Sequence, residues 1–131
     1  MRRDVPRYSA RVLDLFGRLP GAESLATGQG TTVQGEAMAL ERGAWVRFEA
    51  RVDHGQVLDC VFRAWGCPHT LAAAAWACAA LKGLAIDTGD AIDARRLALE
   101  LAAPVEKMGR LLIVEDAMHA LLDAARAVQS R

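Results

Sequence analysis

The sequence carries no excess of either charge. Sixteen basic residues stand against sixteen acidic ones in 131 residues, and no run of one sign stands out. Such a chain has no electrostatic footprint for nucleic acid or for an anionic membrane surface, so neither is expected as a partner. It also lacks an apolar stretch of spanning length, because "LAAAAWACAALKG" is too short and too rich in alanine. The basic opening "MRRDVPRY" is not followed by an apolar signal core. A soluble, cytoplasmic protein is therefore expected. Three cysteines, an odd number, give no disulfide framework. There is no Walker-type phosphate loop, no Gly-x-Ser-x-Gly and no Cys-x-x-Cys. No repeat and no second domain is visible, and the length suits one domain, 1–131, with its own core.

What is present is a clear order of elements. "YSARVLDLFGRLPG" predicts a helix, with Ser9 as N-cap and Val12, Leu13, Phe16 and Leu19 at helical spacing before Pro20 and Gly21. A loop, "AESLATGQG", leads to three strands. "TTVQGEAMAL" has the weakest pattern. "AWVRFEARV" alternates cleanly, with Val46, Phe48, Ala50 and Val52 on one face. "VLDCVFRAW" groups Leu58, Cys60, Phe62 and Ala64. The turns "ERG" and "DHG" make these an antiparallel meander. Helices follow from Cys67 to Lys82, over roughly 90–101, and from about Arg110 to Gln129. The last should bury Leu111, Val114, Met118, Leu121, Ala125 and Val128. Strands first and helices afterwards imply an α+β domain: a three-stranded antiparallel sheet covered by helices, with a helix at the N-terminus and a long one at the C-terminus.

The cysteines differ in their surroundings. Cys60 lies on the apolar face of its strand and reads as a small core residue. Cys78 is eleven residues beyond Cys67 on one helix, a rise of about 16 Å, so these two cannot ligate one metal. Cys60 and Cys67 should point to opposite faces. No two thiols are expected to share a site. Cys67 itself sits at a strand-to-helix turn, after Gly66 and before Pro68, where unpaired backbone N–H groups and the helix dipole favour a thiolate. His69, two residues on, can supply a proton or a second metal ligand. Packing into a tight turn is the plainer alternative for Cys67. His54 and His119 read as surface residues.

Taken in order, these segments resemble the IscU and NifU N-terminal type of iron–sulfur cluster scaffold. "YSARVLDLF" is similar to the family's opening. "LDCVFRAWGCPHTLAAAA" is similar to its strand, Gly-Cys turn and helix of small residues. "LALEL", "APVEK" and "LLIVEDAMHALLDA" resemble its closing segment. The resemblance implies the SufE/NifU-like fold, a role in cluster assembly as scaffold or carrier, a cysteine desulfurase as partner, and the assembly chaperones as further partners. The stretch those chaperones read, Leu-Pro-Pro-Val-Lys in the family, is altered here to "LAAPVEK".

The family holds its cluster with three cysteines and a nearby aspartate or histidine. Carried over by counting, the first cysteine's turn falls on Arg42-Gly43-Ala44 and the second cysteine on Cys67. The third, part of a His-Cys pair, falls on Gly109-Arg110, or on Met108-Gly109 with one inserted residue. Of the three cysteines, Cys67 alone is kept. One thiolate holds neither a [2Fe–2S] cluster nor a structural zinc in a single chain. Two chains, each bringing Cys67 and His69, would make a shared site in a homodimer. Alternatively, Arg42 and Arg110 on converging loops would stabilise a thiolate or an anion at Cys67. Cys67 would then accept a persulfide sulfur, as SufE-type acceptors do with one cysteine. A third alternative is a non-catalytic module that binds a desulfurase.

Overall fold

The computed structural model describes residues 30–129. The helix expected from "YSARVLDLFGRLPG" and all but the last residue of the loop after it lie outside the described residues. Within them run three strands, β1 (Thr31–Ala39), β2 (Ala44–Asp53) and β3 (Gln56–Trp65). They pair antiparallel in the order β1-β2-β3.

The central strand follows from its alternation. Ala44, Val46, Phe48, Ala50 and Val52 are buried, while Trp45, Arg47, Glu49, Arg51 and Asp53 are half-exposed. The β1–β2 connection is a short 3-10 turn, Leu40–Arg42, closed by Gly43 at φ 60°. The β2–β3 connection is the two-residue loop His54-Gly55, with φ 51° and 76°. Positive φ at both positions is what a tight hairpin needs to match the strand twist. His54 is exposed there, with Nδ1 3.1 Å from Asp53 Oδ2.

β3 departs from the expected face. Its register with β2 shifts between Arg51 and Val52, so that Arg51 faces Asp59 and Val52 faces Val57. The extra residue, Leu58, bulges out and is 40% exposed. The buried stripe of β3 is thus Val57, Cys60 and Phe62, with Ala64 partly buried.

Three α-helices follow: α1 (Pro68–Leu81), α2 (Ala94–Leu101) and α3 (Met108–Gln129). The expected helix over 90–101 is in fact two pieces. A 3-10 segment, Ile86–Ala91, precedes α2, whose N-cap is Asp93, accepting the Arg96 N–H at 2.8 Å. Helix α3 starts two residues earlier than its stripe suggested. It buries Leu111, Val114, Met118, Leu121 and Ala125, with Val128 only partly buried.

One face of the sheet carries the core. Helix α3 lies across β1 and β2, and α1 lies against β3. Small residues set the approach. A Cβ on Gly35 of β1 would come within 2.7 Å of the Ala117 carbonyl oxygen, so the α3 backbone rests directly on the strand. Helix α1 is buried along most of its circumference through Ala72, Ala73, Ala74, Ala75 and Ala77. Alanine there lets the sheet and α3 close over it with little side-chain entropy to lose.

Candidate functional site

Cys67 is the N-cap of α1, in extended backbone geometry at φ −74° and ψ 167°, and its side chain makes no capping bond. Two neighbours fix that turn. Gly66 takes φ 151°, a conformation side chains rarely adopt. Pro68 occupies the first helical turn, where its missing N–H removes nothing from the hydrogen-bond ladder. The thiol is half-buried at this end of the sheet.

The turn before β2 and the start of α3 meet. Arg42 ends the 3-10 turn between β1 and β2, and its guanidinium lies against Gly109 in the first turn of α3. A Cβ on Gly109 would sit 2.5 Å from Nη1 and 2.7 Å from Cζ of Arg42. The other connection runs through His69. Its imidazole is fully buried, and burial holds it below its ordinary pKa, helped by the positive charges of Lys107 and Arg110 and opposed by Glu106. The start of α3 therefore faces both Arg42 and the start of α1.

Some expected pairings are not made. Among the described residues, Cys67 Sγ makes its polar contact with Thr70 Oγ1, at 3.8 Å, and with neither arginine. His69, expected as a second ligand or proton donor, is fully buried. No group of three or more His, Cys, Asp or Glu side chains among the described residues is arranged to hold a metal ion. The described residues alone do not make a site that fits a cluster or a zinc ion within one chain.

The other two cysteines lie near each other in the core. Cys78 Sγ donates to the Cys60 carbonyl oxygen at 3.1 Å. The Cys60 thiol is pushed far up by its hydrogen bond with Cys78 and by burial. Raised in this way, Cys60 is an inert core group. Eighteen residues separate the pair, which leaves no local spacing to announce it.

The sequence reading also passed over Thr70, which is fully buried. Its signal was available: the third residue of a helix is where an N-cap side chain reaches, and Thr70 is three residues beyond Cys67. A separate cavity of about 460 Å³ is lined by Asp93, Ala94, Arg95, Met108, Leu112 and Glu115. Its carboxylates already serve α2, Asp93 as cap and Glu115 by accepting the Ala94 N–H at 2.7 Å. In the "LAAPVEK" stretch, Leu101 ends α2 as a buried residue and the rest links α2 to α3, with Val105 82% exposed.

Residues 7–129 match the family described as the NifU-like N terminal domain. The chain belongs to that family. Among relatives, this NifU-like chain is 28% identical over 121 residues to the iron–sulfur cluster assembly protein IscU of Plasmodium falciparum, covering 89% of this chain and 73% of that protein. Its fold is shared with the N-terminal part of a nitrogen-fixing NifU-like protein from Brucella abortus (TM-score 0.70, 15% identity, 94% of each chain covered). It is shared equally with a putative iron–sulfur cluster assembly scaffold protein for the SUF system from Fervidobacterium islandicum (TM-score 0.70, 12% identity, covering 88% of this chain and 96% of that one). No helix among the described residues is long and apolar enough to cross a membrane.

Proposed function

We propose that this NifU-like chain acts in iron–sulfur cluster assembly as a sulfur acceptor, with Cys67 as its one active thiol. Family membership and the likeness to an IscU protein support the process. The observation that carries the finer reading is the seating of Arg42 on Gly109. On the carried-over count, Arg42 stands at the family's first cysteine position and Gly109 belongs to either placement of its His-Cys pair. Cys67 remains, half-exposed at a helix start whose first N–H groups have no side-chain cap.

In this reading the Cys67 thiolate attacks the outer sulfur of a persulfide on a cysteine desulfurase. A new S–S bond forms at Cys67 while the donor's S–S bond breaks. The electron pair leaves on the donor's cysteine, which takes up the proton, and no external oxidant or reductant is needed. Arg42, Lys107 and Arg110 contribute positive charge to this end of the molecule rather than direct bonds to the sulfur. A cluster shared between two chains through Cys67 and His69 has less support, because the imidazole is enclosed.

The test is anaerobic purification of wild type and Cys67→Ser, with metal analysis and intact mass before and after incubation with a desulfurase and free cysteine. The expected result is no stoichiometric metal, and one added sulfur that Cys67→Ser abolishes. Iron or zinc lost on Cys67→Ser would overturn the acceptor reading in favour of a scaffold completed by a second chain. Neither metal nor added sulfur would leave a binding module for a desulfurase.

A further inference from the structure

Thr70 is a hydroxyl placed where water does not reach. Its side chain is fully buried, and a buried hydroxyl without a partner is costly, so natural structures almost always supply one. Threonines within helices usually bond a carbonyl one turn back. Among the described residues, Thr70 Oγ1 instead makes its side-chain contact with Cys67 Sγ, at 3.8 Å.

The geometry holding it there is specific. A Cβ at Gly66 would lie 3.1 Å from Thr70 Cβ and 3.2 Å from both Cγ2 and Oγ1. The threonine is therefore packed against the bare Gly66 backbone, and its β-branch limits χ1 to few states. Gly66, Cys67 and Thr70 form one unit, in which the glycine makes room, the threonine is held in that room, and its hydroxyl faces the sulfur. A thiolate has no proton to give, so in the reactive form the hydroxyl is the donor.

We propose that the Thr70 hydroxyl is the hydrogen-bond donor to the Cys67 sulfur, a further residue of the site that holds this sulfur aimed for attack. The proposal deepens the sulfur-acceptor reading and rests on it for its biological use. Its chemistry can nevertheless be measured separately.

The experiment uses the full chain as wild type, Thr70→Val and Thr70→Ser. Valine keeps the branched shape and removes the hydroxyl; serine keeps the hydroxyl and removes the methyl. Each protein is labelled with iodoacetamide at pH 7, the rate is followed by intact mass, and thermal unfolding is recorded alongside. A charge-assisted hydrogen bond of this kind predicts labelling about 3- to 10-fold slower in Thr70→Val. Thr70→Ser should label within about twofold of wild type even if its Tm falls. A purely packing role predicts the reverse order, so Thr70→Val at the wild-type rate, or Thr70→Ser as slow as Thr70→Val, would overturn the proposal. If Thr70→Val does not fold, Thr70→Ala replaces it as the variant without a hydroxyl. Glutathione persulfide offered to the same proteins separates the two claims. No sulfur uptake by wild type, with the labelling order as expected, would sink the acceptor reading and leave the role of Thr70 standing.

Discussion

The Arg42 guanidinium lies over Gly109, 67 residues later in the chain, so closely that any side chain at position 109 would have to push it aside. The two residues are matched in size: a long cation lies over a residue that has no side chain.

The match predicts energetic coupling. Gly109→Ala raises helix propensity in the first turn of α3 but must displace the end of a flexible arginine. In an Arg42→Ala background the same change should stabilise the chain by about 0.5–1 kcal/mol. In wild type it should gain less, and the two changes should be non-additive by at least about 0.5 kcal/mol. Urea unfolding of the four proteins completes the cycle. Strict additivity would mean that the contact carries no energy.

Gly35 carries a harsher prediction. A methyl group at this position meets α3 backbone, at Ala117 and Ala120, and backbone cannot swing aside as a side chain does. Gly35→Ala should cost more than about 3 kcal/mol and leave the chain unfolded or aggregated at 37 °C. A soluble variant with an unchanged Tm would show that α3 does not lie on β1 as described.

These two glycines show what the sequence could and could not reveal. Strand β2 was legible because alternation alone decides which of its residues are buried. β3 was legible except at Leu58, since a bulge shifts register with no mark in the pattern. Gly35 weakened the expected first strand, yet it is the point of closest approach. A glycine's role depends on what packs over it, which no local pattern encodes. The helix expected over roughly 90–101 begins only at Ala94, after the Asp93 cap, because a 3-10 segment takes the residues before it. Cys67 stood out from its turn chemistry. The contact between Arg42 and Gly109 is long-range and became expressible only once family positions were laid on converging loops.

His69 links the site to pH. Its folded-state pKa is lowered from 6.5, first by burial and then by Lys107 and Arg110. The unfolded chain therefore binds this proton more readily. The resulting stability is fully present above about pH 6.5 and is lost as pH falls toward the folded value, by at most about 1.4 kcal/mol per unit. Wild type should lose more stability than His69→Gln between pH 7.5 and 5.5 in urea titrations. Equal losses would show that the imidazole is not held neutral.

The contact also suggests a designed metal site. Gly109→Cys alone supplies a second thiol but sets it against the Arg42 guanidinium, while Arg42→Cys alone leaves the α3 position bare. Only the double variant Arg42→Cys/Gly109→Cys would add two thiols on touching loops to the thiol of Cys67, and three thiolates with one further ligand satisfy zinc. The double variant should therefore copurify with about one zinc per chain, whereas wild type and both single variants should carry none, as measured by elemental analysis. Adding Cys67→Ser should remove the metal. A folded double variant without zinc would mean that the Cys67 turn stands too far from Arg42 and Gly109 to share an ion. The charge around Cys67 would then have to act at longer range than the acceptor reading assumes.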